Sequence, residues 1–60
     1  MWTWEKSADK NGNPVIVFVL EGQRKLSMYV DEMEAHNHPY NAEEVATQYC
    51  NNFNHYLGGN

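Results

Sequence analysis

The sequence predicts a small α+β domain: a three-stranded antiparallel β-meander packed by one C-terminal α-helix (βββα). Three observations carry that expectation. Two stretches alternate apolar and polar residues, the period of a half-buried strand. A six-residue β-branched and aromatic run, Val15 to Leu20, lies between them. Apolar residues then recur at helical spacing in the last third of the chain.

The first strand is expected at about residues 2–6, with Trp2 and Trp4 on one side and Thr3 and Glu5 on the other. Ser7 to Asn13 reads as a turn, since Asn11-Gly12 supplies positive φ at low cost. Pro14 lacks an N–H and fits the mouth of the hairpin. The run at about 15–20 is apolar on both faces and so suits the central strand. Gly22-Gln23 is placed in a second tight turn, and alternation returns over about 24–31, with Leu26, Met28 and Val30 on one face. Residues 31–40 show no sustained period, and Pro39 biases His38 toward an extended backbone, so this stretch is read as an acidic loop.

The helix, at about 42–57, is the best-marked element. Asn41 is a good N-cap, Glu44 stands at the capping-box position, and Glu43 and Glu44 suit the positive end of the helix dipole. Val45, Tyr49, Phe53 and Tyr56 form the apolar stripe, which Ala42, Ala46 and Leu57 widen. Gly58-Gly59 offers a left-handed C-cap. One helix covers only one face of such a sheet. Three apolar residues of the central strand are therefore expected to face away from it, covered by the tryptophans or by a second copy in a homodimer through the sheet face.

Composition narrows the function classes. Sixty residues make a single domain (1–60), close to the lower size at which a chain folds without metal or disulfides. The lone cysteine, Cys50, has no internal disulfide partner, which suggests a reducing compartment. With no basic stretch ahead of an apolar run and no run long enough for a bilayer, neither a signal peptide nor a membrane span is expected, and a cytoplasmic location is the default. Eight acids against four bases give a net charge of −4, so a basic nucleic-acid surface is not expected.

That charge is local. Asp31, Glu32, Glu34, Glu43 and Glu44 fall in one segment that holds no Lys or Arg, which suits an acidic patch docking on a basic partner. From Val45 onward the chain carries no formal charge. An outer helix face of Thr47, Gln48, Asn51, Asn52, Asn54 and His55 is cheap to desolvate and able to hydrogen-bond across an interface. Trp2 and Trp4 are core candidates and, if exposed, interface anchors.

No nucleophile elbow, phosphate loop or paired helical histidines occur, so no catalytic residues and no cofactor are assigned. The expectation is a small non-enzymatic interaction module whose partner-binding residues are Asp31, Glu32, Glu34, Asn51, Asn52, His55, Trp2 and Trp4. Its size and acidity fit the general character of short regulators or inhibitors that phages and mobile elements encode. Two alternatives are nucleic-acid binding on the sheet face and a small metal site using His36 and His38.

Overall fold

A computed structural model of the chain describes residues 1–58. Three strands, β1 (Trp2–Ala8), β2 (Pro14–Leu20) and β3 (Gln23–Tyr29), are followed by α1 (Val30–His36) and α2 (Ala42–Tyr56). The strands form one antiparallel sheet in the order β1-β2-β3, the expected meander with its apolar run in the centre. The Cα atoms span 32 × 27 × 11 Å, the thickness of one sheet and one helical layer.

The turns follow local chemistry. Asp9 closes the first hairpin: its carboxylate accepts from the Asn11 and Asn13 backbone N–H groups, both at 2.9 Å, and Gly12 supplies a φ of 85°. The second turn falls one residue earlier than expected, on Glu21 and Gly22, with φ of 53° and 78°. Positive φ at both central residues is the geometry that matches the twist of a two-residue hairpin, and it places Glu21 where glycine or asparagine is usual.

Register explains the core. Trp2 pairs with Leu20, Trp4 with Phe18, Ile16 with Met28, and Phe18 with Leu26, so these side chains share the helix side of the sheet. Phe18 and Ile16 are essentially fully buried there, with Met33, Ala42, Val45, Ala46 and Cys50 above them. The Phe53 ring lies 4.9 Å from Trp2 and meets Phe18 edge-on at 5.6 Å. Aromatic pairs at such distances add to simple area burial.

The opposite face holds Val15, Val17 and Val19, and the tryptophans do not fold over it. Val17 is nevertheless only 6% exposed. Its strand neighbours are Glu5 and Ser27, and the Arg24 guanidinium reaches Glu5 at 3.1 Å across the same face. Aliphatic stems of charged residues cover apolar surface in this way while their heads stay wet. Val17 is covered in this way, while Val15 and Val19 stay half-buried on the same face.

The expected 31–40 loop is corrected: Val30–His36 is helical. Met33, only 3% exposed, plugs into the core with half-buried Val30 one turn before it, so burial stabilises a helix that carries no side-chain N-cap. Pro39 lies beyond the Asn37 C-cap, where proline stops a helix rather than preventing one. The Asn37 amide donates to the Met33 carbonyl at 2.8 Å and finishes the turn.

A polar seam ties α2 to β1. Lys6 pairs with Glu43, Trp4 Nε1 donates to Thr47 Oγ1 at 3.2 Å, and Asn54 meets Trp2. There the Asn54 Oδ1 accepts the Trp2 N–H at 2.6 Å and its Nδ2 donates to the Trp2 carbonyl at 3.2 Å, as a neighbouring strand would. Thr47 and Asn54 are thus not on the free outer face, contrary to the sequence reading. Tyr56 and Leu57 are not in the apolar stripe either, at 76% and 63% exposed. With Asn54 already at the first residue of β1, nothing of the sheet lies beneath them. Gly58 has the left-handed φ of 66° expected beyond a helix end, while Gly59 is outside the described residues.

Replacing Asn54 by Ala removes both bonds to Trp2, and the expected loss is about 1–2 kcal/mol of unfolding free energy by urea titration. Asn51→Ala and Asn52→Ala, on the outer side of the same helix, are expected within about 0.5 kcal/mol of the parent. Equal losses at all three positions would contradict the seam.

Candidate functional site

Few of the sequence-marked residues end on a free surface together. Trp2 and Trp4 are half-buried and pack against the core, the first of the two places the sequence offers them. The Trp2 indole N–H is buried without a partner among the described residues. Glu34 is corrected: its Oε2 accepts the Ala42 backbone N–H at 2.8 Å, so it bridges α1 to the first turn of α2. That bond and the Asn41 Oδ1 bond to the Glu44 N–H (2.9 Å) satisfy two of the helix's otherwise orphaned donors. Glu43 is exposed but paired with Lys6, so among the described residues the acidic segment presents Asp31, Glu32 and Glu44 as its exposed carboxylates outside any ion pair.

The surface that remains is the outward side of α2. Glu44, Gln48, Asn51, Asn52, His55 and Tyr56 are all exposed and fall in two adjacent rows at three- and four-residue steps, 44-48-51-55 and 44-48-52-56. None of Gln48, Asn51 and Asn52 has a side-chain hydrogen bond among the described residues, whereas Thr47 and Asn54 on the flank do. His55 and Tyr56 pack their rings edge-on at 4.6 Å. At the other end, exposed Tyr40 borders a shallow groove of about 340 Å³ with Asn37, Glu44, Gln48 and Tyr49. Sequence spacing marked the amide row, while the flanking role of Tyr40 and Tyr56 had no signal beyond their being aromatic.

The other chemistries find little geometry. Cys50 is buried, and desolvation pushes its thiol pKa up, away from the reactive thiolate. Among the described residues no three His, Cys, Asp or Glu side chains gather at one place, so His36 and His38 are not joined by further ligands. The bases are divided rather than aligned: Lys6 is on Glu43, Arg24 on Glu5, and Lys25 donates to Gln23 at 3.1 Å. No helix among the described residues is long and apolar enough to cross a membrane.

Two carboxylates titrate low for clear reasons. Bonds from the Asn13 backbone and side chain, with lesser ones from the Tyr29 hydroxyl and the Asn11 backbone, stabilise the Asp9 carboxylate and outweigh the opposing effect of desolvation. The same contact raises the Tyr29 phenol, because the Asp9 carboxylate accepts its proton and repels its anion. The Met1 amino group, 2.8 Å away, lowers Glu21. No protein-family model matches the chain, no curated protein is significantly similar to it, and no solved structure significantly matches its fold.

Asp9 gives a pH test of the first hairpin. Its folded pKa lies below the unfolded one, so its contribution is complete above the ordinary value of 3.8 and is lost as pH falls through the folded value. Asp9→Ala is expected to lower the urea midpoint at neutral pH and to flatten the acid limb of midpoint against pH. An unchanged acid limb would show that the carboxylate does not hold the turn.

Proposed function

We propose that this protein is a small non-enzymatic interaction module, a regulator or inhibitor in kind, that docks a partner protein on the outward face of α2. The observation that supports this reading is the uncharged row Gln48, Asn51, Asn52 and His55, whose amides make no side-chain hydrogen bond among the described residues, bracketed by exposed Tyr40 and Tyr56. Protein interfaces are depleted of charge at their centres and enriched in tyrosine, and a helix exposed only to water gains from Glu, Lys and Arg rather than Asn. Exposed Asp31, Glu32 and Glu44 then form an acidic rim that speeds encounter with a basic partner surface. The core-packed tryptophans take no part.

Capture of partners by immobilised wild-type protein, compared with a Gln48→Lys/Asn52→Lys double variant, tests the proposal. The double variant is expected to keep its circular dichroism and urea midpoint, because both positions are exposed, and to lose the captured protein. Capture should also weaken as salt rises. A partner retained equally by the folded double variant, or none captured by wild type at either low or moderate salt, would contradict the reading.

A further inference from the structure

The groove at the start of the α2 face has a chemistry of its own. It measures about 340 Å³ and lies between the turn before α2 and the first half of that helix. Tyr49 is its fixed wall, because its ring is held against Phe18 and Phe53 at centroid distances of 6.0 and 6.3 Å. Tyr40 is its outer wall, 61% exposed. The Tyr40 N–H donates to the Asn37 carbonyl at 2.9 Å, so a backbone turn sets where that wall stands.

The polar atoms left over in the groove are oxygens. The Glu44 carboxylate has no partner among the described residues, since it is the Glu44 backbone N–H that bonds Asn41. The Asn37 amide spends its nitrogen on the Met33 carbonyl, which leaves its oxygen as the unpartnered atom. Gln48 adds a second free amide. No Lys or Arg lines the groove, and Lys6, Arg24 and Lys25 are held on Glu43, Glu5 and Gln23. The positive end of the α2 dipole is already answered, because Glu34 and Asn41 accept from the Ala42 and Glu44 N–H groups there. A smaller groove meets this one at Asn37 and Tyr49 and carries Glu32, again with no Lys or Arg.

We infer that this groove seats the guanidinium of an arginine on the partner protein, stacked between Tyr40 and Tyr49 and paired with Glu44. A guanidinium carries five donors and no acceptor, which matches the free oxygens of Glu44, Asn37 and Gln48. It is planar and weakly hydrated, and it stacks on aromatic faces where an ammonium keeps its water. An anionic group would meet the Glu44 carboxylate with no cation beside it. The inference rests on the α2 docking reading and names the partner side chain that anchors beside the amide row.

Titration of the isotope-labelled chain with the blocked dipeptide acetyl-Arg-Arg-amide tests it without any partner. Amide resonance shifts are expected to saturate at about millimolar peptide and to centre on Tyr40, Glu44, Gln48 and Tyr49. The citrulline analogue keeps the shape without the charge and is expected to shift nothing, and acetyl-Lys-Lys-amide to bind severalfold more weakly. Tyr40→Leu/Glu44→Gln keeps the apolar bulk and the backbone cap. It is expected to stay folded and to bind acetyl-Arg-Arg-amide about tenfold more weakly. Asp31→Asn removes the same charge outside the groove and is expected to leave the affinity within about twofold. Shifts spread over every exposed carboxylate, equal binding of the lysine peptide, or a folded double variant that binds as wild type does would overturn the inference. A chain that captures its partner but binds no arginine peptide would overturn the arginine and leave the α2 face standing. Arginine binding without capture would keep the groove and overturn that face.

Discussion

A helix is too narrow for the sheet beneath it, and the rest of the architecture follows from that mismatch. An α-helix with its side chains is about 10–12 Å across, whereas three strands spaced about 4.8 Å apart present a wider floor. α2 settles over β1 and β2, where Trp2, Trp4, Ile16 and Phe18 offer the largest apolar surface. The strip over β3 is left to the short α1, which reaches the core with Met33 alone among its fully buried side chains. A second full helix would close the layer. Seven residues leave Leu26 and the β3 edge open.

Polar groups fix where α2 settles. Burial is non-directional and would tolerate small slides of the helix along the sheet. The Glu43, Thr47 and Asn54 contacts are directional, and they lie in one row along the helix that matches Lys6, Trp4 and Trp2 in reverse order along β1. Glu34 performs a similar service between α1 and α2. Residues that resemble binding chemistry in the sequence are thus largely fasteners, and the free polar surface is what the fasteners leave over: Asp31, Glu32, Glu44 and the amide row of α2.

Much of the fold is legible in the sequence because its signals are local. Alternation marks β1 and β3, the apolar run marks β2, and Asn41 with its two following glutamates marks the start of α2. What escapes is decided at a distance. α1 has only Val30 and Met33 to declare it, and its stability comes from a core that a linear pattern does not contain. Asn54 and Asn51 are the same residue type three positions apart, yet one bonds an edge strand and the other faces water. Tyr56 fits the helical stripe by spacing and misses the core because β1 begins at Trp2. For the candidate site, the lack of charge after Val45 was enough to mark Asn51, Asn52 and His55 as an outer face, and the tryptophans read as core candidates, but Glu34 needed the fold before it could be assigned to capping.

The central claim is that a polar seam fixes α2 on β1, with the Asn54 amide standing in for a neighbouring strand at Trp2. Residue-resolved hydrogen exchange measures it most directly. The account predicts that the Trp2 amide exchanges slowly in the parent chain and fast in Asn54→Ala. A Trp2 amide that exchanges as freely as in an unfolded chain, or one that Asn54→Ala leaves slow, would contradict it.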